Sequence, residues 1–372
     1  MLRSSKQFSE STGGCDPRQY EINPKVVLTL ENQTIGELLA RKAEDTPPPA
    51  QRALRRAARR AFLWDVEAAE LARMGTPLTE LSGVGPYIEK LIGQWLDSPP
   101  SKLQPVPLRA GFLTICQARR ILSKKPSWLK NVKGDLQMHT NWSDGVGTIE
   151  EMSAAAVERN YAYIAITDHT KGLKIAGGIN EEQVEQQGRE IASISEEGRI
   201  AVLRSVEMNL NPHGKGDMDS RCLRKLDLVL GCFHSSLRKT DDQTERYVAA
   251  LRNPDIQILG HPRGRIYNFR SGLNAHWEEV FGVAAELGKA VEIDGYPDRQ
   301  DLNVELLRIA KKAGCKISFG TDSHGPSQLR LMDFSAAAAL AAGIKPEGIL
   351  NFMSKNALLD WVDDVRRQGG KR

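Results

Sequence analysis

The chain has 372 residues, 40% of them hydrophobic and 26% charged, an ordinary balance that excludes collagen-like, coiled-coil and largely disordered classes and leaves room for two domains or one barrel with an appendage. No apolar run approaches the roughly 18 residues of a membrane span, Met1 to Cys15 has no apolar core of signal-peptide type, and five scattered cysteines without a Cys-x-x-Cys pair argue against a disulfide framework or zinc ribbon; a cytoplasmic address is expected. The net charge of +4 hides an asymmetry: 20 Lys+Arg against 13 Asp+Glu up to Lys130, then 31 against 34, so the front third is basic and invites a partner-based explanation.

Residues 1–30 show no period and are expected to form a loose arm. Residues 31–125 are expected to be a small all-α domain. Ile35, Leu38 and Leu39 start a helical pattern that Thr46-Pro-Pro-Pro-Ala50 breaks. Arg52, Arg55, Arg56, Arg59 and Arg60 follow at helical spacings along one face, which is either a solvated surface or a binding one. Next comes Leu78-Thr-Glu-Leu-Ser-Gly83-Val84-Gly85-Pro-Tyr-Ile. Two glycines allow a tight turn and close approach to a phosphate, and a helix opening at Pro86 would present its N-terminus to that charge. A plain helix–turn–helix connection is the alternative. Ser98-Pro-Pro-Ser101, Pro105 and Pro107 suggest a stiff linker, and 109–122 one more helix.

From residue 131 to 364 short apolar runs alternate with helical segments of ten to fifteen residues, as in βα units around a parallel sheet. Strands are expected over 134–140, 161–167, 200–208, 226–233, 256–260, 290–293 and 316–320, with helices over 148–159, 181–195, 240–251, 276–287, 301–313, 326–342 and 347–362. Seven consecutive units favour an α/β barrel over an open sheet, and barrels place their active sites past the C-terminal strand ends. There the sequence puts Gln137, His139 and Asp144, then Asp168-His169, Glu207, His234, His261, and Asp322-Ser-His324. Five of the seven histidines thus fall on one rim. A strand-end histidine is commonplace alone, but five with carboxylates and no thiolate match the preferences of Zn²⁺, Mn²⁺ or Fe²⁺. A carboxylate such as Glu207 can bridge two ions about 3.5–4 Å apart, an arrangement that activates water and takes up charge on phosphoryl oxygens. Phosphoester hydrolysis is the expected chemistry.

The segments Gly134-Asp-Leu-Gln-Met-His139-Thr-Asn-Trp-Ser-Asp144-Gly, Ile166-Thr-Asp-His169, Glu207, Phe233-His234-Ser, Gly260-His261-Pro and Gly320-Thr-Asp322-Ser-His324-Gly resemble, in order and spacing, the motifs of the PHP (polymerase and histidinol phosphatase) superfamily. The resemblance implies a distorted (β/α)7 barrel holding up to three divalent ions. It assigns the first ion to His139, Glu207 and Asp322, the second to Glu207, His234 and His261, and the third to Asp144, His169 and His324. Gln137 departs from the family's usual His-x-His, and its neutral amide implies a looser or water-completed first site. The stretch from Ile164 to Gly178 and His261-Pro-Arg-Gly-Arg265 look most like the PHP domain of bacterial X-family DNA polymerases, which implies Mn²⁺-dependent 3′–5′ exonuclease or 3′-phosphatase activity. Among rim cations Lys171, Lys174, Arg263, Arg265, Arg270 and Arg299, the expected phosphate clamps are Arg265 and Arg299, because guanidinium forks match phosphate oxygens.

By the same resemblance Gly83, Val84 and Gly85 form a helix-hairpin-helix turn and, with Arg55, Arg56 and Arg59, a DNA-binding module. Where lyase-competent relatives carry a Schiff-base lysine this chain has Leu91. Only about 35 residues separate the module from the barrel, too few for a polymerase palm, so no polymerase activity is expected. The leading expectation is a repair-type phosphoesterase acting on DNA ends. The alternatives are a small-molecule phosphatase of histidinol-phosphatase type and a non-catalytic DNA-binding scaffold. Metal identity, exonuclease against phosphatase preference and oligomeric state are open at this level.

Overall fold

A computed structural model of the chain describes residues 30–369 apart from 101–102, 197 and 199; the arm expected over 1–30 lies, but for Leu30, outside the described residues. From residue 134 the chain forms eight short strands, β1 (Gly134–Asp135), β2 (Tyr163–Ile166), β3 (Ala201–Arg204), β4 (Glu207–Leu210), β5 (Leu230–Phe233), β6 (Ile258–Leu259), β7 (Ala290–Asp294) and β8 (Lys316–Gly320). They pair in parallel and in sequence order, β1-β2-β3 and β4-β5-β6-β7-β8. Glu207 stands opposite Leu230, and Ala290 opposite Lys316. Leu136 N donates to Phe319 O at 3.3 Å and Asp322 N to Gln137 O at 3.1 Å, so the two ends of the array meet and the sheet curls into a distorted barrel.

The strand expected over 200–208 is two strands. Ser205 and Val206 interrupt it because β3 pairs with β2 while β4 pairs with β5; one run serving two ladders must change direction between them. A parallel bridge between His169 and Glu207 spans the break, which brings two candidate ligands side by side. Helices Ile149–Glu158, Glu181–Glu196, Thr244–Arg252, Trp277–Glu286, Val304–Ala313 and Met332–Ala342 lie near their expected places. The segment expected as a helix over 347–362 is instead short 3-10 turns followed by Lys355–Gly369, whose start Ser354 caps by accepting from Ala357 N at 3.3 Å.

Strand alternation sorts side chains into two cores. Ile164, Ile166, Val202, Val291, Ile293, Ile317 and Phe319 face the helices. Tyr163, Ala165, Leu203, Leu230, Cys232, Ile258 and Ala290 fill a separate interior cluster with Leu350, Leu358 and Val362. Following the interior set upward along the strands gives His234 two residues after Cys232, and Glu292 and Asp294 after Ala290. The barrel is therefore apolar below and polar at its C-terminal rim.

Ahead of the barrel, helices Asn32–Glu44, Ala50–Arg60, Ala68–Arg73 and Pro86–Asp97 share a core of Ile35, Leu39, Leu54, Ala57, Leu81, Ile88 and Ile92. The expected helix over 109–122 is Ile115–Ser123, begun by a capping box of Thr114 and Gln117. Its Ile115, Ala118 and Leu122 pack in the barrel's outer core, so by packing this helix goes with the barrel rather than with the module assigned to 31–125. The two units are tied together by Arg109, which bonds Glu37 at 2.7 and 2.9 Å, Glu44 at 2.7 Å and Asn268 at 2.9 Å, and by edge-to-face packing of Phe62, Phe112 and Tyr267. Among the described residues no helix is long and apolar enough to cross a membrane.

Candidate metal centre

Glu207, at the start of β4 and fully buried, is the hub. Its Oε1 lies 2.8 Å from His234 Nε2 and 2.8 Å from His261 Nε2. Its Oε2 lies 3.2 Å from His139 Nε2 and 3.6 Å from His169 Nδ1, and accepts from Gln137 Nε2 at 2.9 Å. Asp322 Oδ1 meets His139 Nε2 at 2.9 Å. Asp144 Oδ1 sits 3.4 Å from His324 Nε2 and 3.6 Å from His169 Nε2. The nine residues expected at the site thus converge, although they come from β1, β2, β4, β5, β6 and β8 or the loops that follow. Their rings stack, His139 at 4.3 Å from His169 and 4.5 Å from His324.

Three constellations within this set have their ligand atoms all within 4.8 Å of one another: His139, Asp144, His169 and His324; His169, Glu207 and His234; and His139, Glu207 and Asp322. A fourth joins Glu207 and His261 with Cys232, a residue that sequence spacing alone did not connect to the site. Burial pushes the Cys232 thiol well above its usual range, with Glu207 and Glu292 adding to the effect.

The electrostatics are those of a cation cage. Burial by itself would raise the Glu207 carboxyl, yet His169, His261, His139 and His234 hold it well below the usual range. Burial is likewise overcome at Asp322 by Arg299 and His139, and at Asp144 by His169 and His324, and both are pulled down. His261, which burial would lower, is raised to about 9 by Glu207. Ionised carboxylates are thus held at the barrel mouth and need positive partners. Divalent ions fit there. Buried polar atoms without a hydrogen-bond partner cluster at this rim: Gln137 Oε1, His139 Nδ1, His169 Nδ1, Glu292 Oε1 and Asp294 Oδ2, whereas buried polar atoms are ordinarily satisfied.

Outer contacts set the imidazole tautomers. His234 Nδ1 donates to Asn209 Oδ1 at 3.1 Å and His324 Nδ1 to Asp322 O at 2.8 Å, leaving each Nε2 as the lone-pair donor toward the centre. Asp168 takes no part as a ligand. It accepts from Thr140 N at 2.8 Å, Thr140 Oγ1 at 2.6 Å, Ser143 Oγ at 2.5 Å and Gln187 Nε2 at 2.7 Å, and so fixes the loop that carries Asp144. His261 and Asp322 have φ of +21° and +51°, a region non-glycine residues seldom occupy and one that concentrates strain at functional sites. Gly320 is required for space, since a Cβ there would stand 2.3 Å from Glu292 Oε1 and 2.7 Å from Gln137 Cβ. Asn209, Glu292 and Asp294 escaped the sequence reading because they lie inside strands, where inward polar residues interrupt no motif; the two-residue step from Ala290 is the signal that would have found the last two.

The two expected clamps part company. Arg299 Nη1 is paired with Asp322 Oδ2 and lies 3.9 Å from Asp294 Oδ2, with a third of its side chain exposed to a cavity of about 280 Å³ over the centre. Arg265 is 3% exposed. Its guanidinium donates to Arg299 O at 2.7 Å, Gln300 O at 2.7 Å, Gly111 O at 2.8 Å and Ala110 O at 3.3 Å, and it lies 3.8 Å above the Phe112 ring. Its donors are spent on backbone, so the expectation of a clamp at Arg265 is corrected to a staple between the barrel and the preceding segment. Arg263 is similarly tied to Ser271 O and Leu273 O, and Lys171 pairs with Glu181 at 2.6 Å. Arg270 lines the same cavity as Arg299.

In the amino-terminal unit Arg55, Arg56 and Arg59 are exposed on the helix Ala50–Arg60. Gly83 has φ +84°, Gly85 precedes the helix opened by Pro86, and the Val84 side chain is buried in the helical core. Arg56, Gly83, Val84 and Gly85 line one open groove of about 490 Å³; Arg59 lines a different one, and Arg55 neither. Before the glycine turn stands a single 3-10 turn, Leu78–Glu80.

The sequence profile of the PHP domain family matches residues 135–321. The chain is 34% identical over 228 residues to a DNA polymerase/3′-5′ exonuclease PolX of Bacillus subtilis, a match that spans 61% of this chain and 40% of that relative. It is 29% identical over 230 residues to a probable phosphatase of Thermoanaerobacter, spanning 58% of this chain and 89% of that one. Among solved structures, a histidinol phosphate phosphatase of Lactococcus lactis complexed with zinc, L-histidinol and phosphate aligns with a TM-score of 0.41 at 17% identity, over 55% of this chain and 94% of that one. With half of its length matched by the family profile, the chain belongs to the PHP domain family.

Proposed function

We propose that this PHP-domain phosphoesterase acts on DNA ends, as a 3′–5′ exonuclease or a 3′-phosphatase, and has no polymerase activity. The observation that carries the hydrolytic part is the convergence of four imidazoles and the Gln137 amide on Glu207 at 2.8 to 3.6 Å, with Asp322 2.9 Å from His139 and Asp144 3.6 and 3.4 Å from His169 and His324. His139, Glu207 and Asp322, then Glu207, His234 and His261, then Asp144, His169 and His324 are the sets that would hold up to three divalent ions of Mn²⁺, Zn²⁺ or Fe²⁺ type. Such ions, when bound, supply Lewis acidity toward a phosphoryl oxygen and a water of lowered pKa. Gln137 positions Glu207 through its amide N–H, and Asn209 and the Asp322 carbonyl orient His234 and His324. Arg299 and Arg270 face the cavity and can hold non-bridging phosphate oxygens, Arg299 with a geometry already fixed by Asp322.

Three features support DNA as the substrate. The exposed arginine face carries no ion pair at Arg55, Arg56 or Arg59 among the described residues. The turn around Gly83 and Gly85 places a helix N-terminus beside Arg56, a phosphate-binding arrangement. The PolX relative, whose name includes a 3′-5′ exonuclease, is similar across the barrel. The cavity of about 280 Å³ also suits a phosphomonoester, so hydrolysis of a phosphorylated amino alcohol is the second reading. Turnover by Mn²⁺-supplemented protein of end-labelled oligonucleotides with 3′-OH or 3′-phosphate termini, against a phosphorylated amino alcohol, separates the two. A kcat/KM at least tenfold higher on an oligonucleotide supports DNA ends, and the reverse order supports the small-molecule reading.

A further inference from the structure

A second cleft, of about 330 Å³, separates the amino-terminal unit from the barrel rim and is lined by Arg59, Arg60, Leu63, Tyr296, Asp298, Gln328 and Arg330 among others. Neither family motifs nor the hairpin turn account for it. Arg59 and Arg60 are adjacent and exposed at the last turn of their helix, and Arg330 stands on the opposite wall, 3.4 Å from Asp65. Asp298 is the one carboxylate in the lining, so the cleft is positive on balance. Its inner end borders the metal centre. The Tyr296 ring packs edge-on to His324 with centroids 6.2 Å apart, and the Arg299 guanidinium, which holds Asp322, lies 5.6 Å from the same ring. Its outer end joins the hairpin: Arg60 Nη1 reaches Ser82 Oγ at 3.4 Å, and its side-chain carbons pack over Gly83.

Resting on the DNA-end reading, we propose that this cleft seats the single-stranded nucleotides that lead into the metal centre, with Arg59 and Arg60 on the backbone phosphates and Tyr296 stacked on a base. A positive groove with an aromatic platform is what a sequence-tolerant single-strand site needs. Stacking a base on Tyr296 takes it out of a duplex, so the strand must be unpaired over the last nucleotides before hydrolysis. The arrangement also gives the arginine helix two separate tasks: Arg56 serves the hairpin groove, and Arg59 and Arg60 the path to the centre.

The test uses the full chain with Mn²⁺, single-stranded oligonucleotides of 3 to 12 nucleotides, and bis(p-nitrophenyl) phosphate as a diester too short to reach the cleft. In Arg59→Glu/Arg60→Glu the ratio of kcat/KM on the 12-mer to that on the small diester falls at least tenfold, mainly through KM, and the salt dependence of KM becomes shallower, since fewer phosphates are neutralised. Arg59→Lys/Arg60→Lys restores most of the loss. Tyr296→Leu lowers the same ratio and Tyr296→Phe keeps it. An unchanged ratio and salt slope in the double glutamate variant, with wild type cutting the 12-mer, overturns the cleft and leaves the DNA-end reading standing. A wild-type protein that hydrolyses the small diester but neither cuts nor binds any oligonucleotide overturns both.

Discussion

The barrel rim and the arginine helix both gather charge, but they do so under opposite physical terms. At the rim, Glu207, Asp322 and His139 are buried to 1% exposure or less, and each is held by several partners at fixed distances. An uncompensated charge there is costly, so the arrangement is over-determined and leaves little freedom for drift in geometry. On the helix Ala50–Arg60 the arginines stand in solvent without ion pairs at Arg55, Arg56 or Arg59 among the described residues. Exposed charge is tolerated almost anywhere, and its meaning comes only from what lies nearby. The first region specifies a chemistry; the second specifies a class of partner only through the grooves it borders.

Perturbing the two regions should therefore give effects of different size and kind. The largest is expected for Glu207→Gln, which removes the carboxylate shared by His139, His169, His234 and His261; kcat should fall by at least about 10²–10³, the scale for deleting a preorganised electrostatic group at a reacting centre, with bound metal measured by mass spectrometry falling in parallel. Asn209→Leu leaves every ligand in place but frees the His234 ring, and a weakening of metal affinity by about 10–100-fold is expected, read by competition with a fluorescent chelator.

The paired arginines sharpen the comparison further. With metal bound to compensate Asp322, Arg299→Ala should act mainly on turnover, lowering kcat/KM by about tenfold or more, as for loss of one charge-assisted contact to phosphate; without metal it also costs stability, because Asp322 is left buried and unpaired. Arg265→Ala should do the reverse: it strands four backbone carbonyls, at a cost of about 2–4 kcal/mol, so melting falls by several degrees while KM holds. Equal catalytic and stability effects from both substitutions would erase the distinction drawn between them.

The smallest effect concerns pH and lies away from both regions. Burial pushes Lys289 down to about 7, its ammonium nitrogen donating to Asn253 O. Between about pH 7 and the usual lysine range near 10.4 the unfolded chain binds a proton at this residue that the native chain does not, so its contribution makes stability rise with pH across that window and level off below it. Lys289→Met should flatten this rise, by at most a few kcal/mol, in urea unfolding at pH 6.5 and pH 9.

The candidate ligand set was legible in the chain because most of its members are local to strand ends: His139, His169, His234, His261 and Asp322 follow short apolar runs, and only barrel closure was needed to bring them together. Arg265 was not legible. It sits in a motif beside His261 and has the right chemistry for phosphate, but two of its four carbonyl partners, Ala110 and Gly111, lie some 150 positions earlier, and a backbone oxygen carries no sequence signature. The break at Ser205 and Val206 was hidden for a related reason, since a run from Ile200 to Met208 reads as one strand until its pairing partners on either side are known. Asn209 is polar within a strand, and strand periodicity alone does not say that it grips an imidazole. The helix Ile115–Ser123 followed its period correctly; which core it joins depends on packing across the whole chain.

The most direct measurement is a titration of chelated, metal-free protein with Mn²⁺ while hydrolysis of a 3′-phosphorylated oligonucleotide and bound metal are followed together, in wild type and in Glu207→Gln. Activity that appears only as ions bind, in wild type alone, is the predicted result. Hydrolysis that persists in the chelated protein, or that Glu207→Gln retains in full, contradicts the metal centre as the seat of the chemistry.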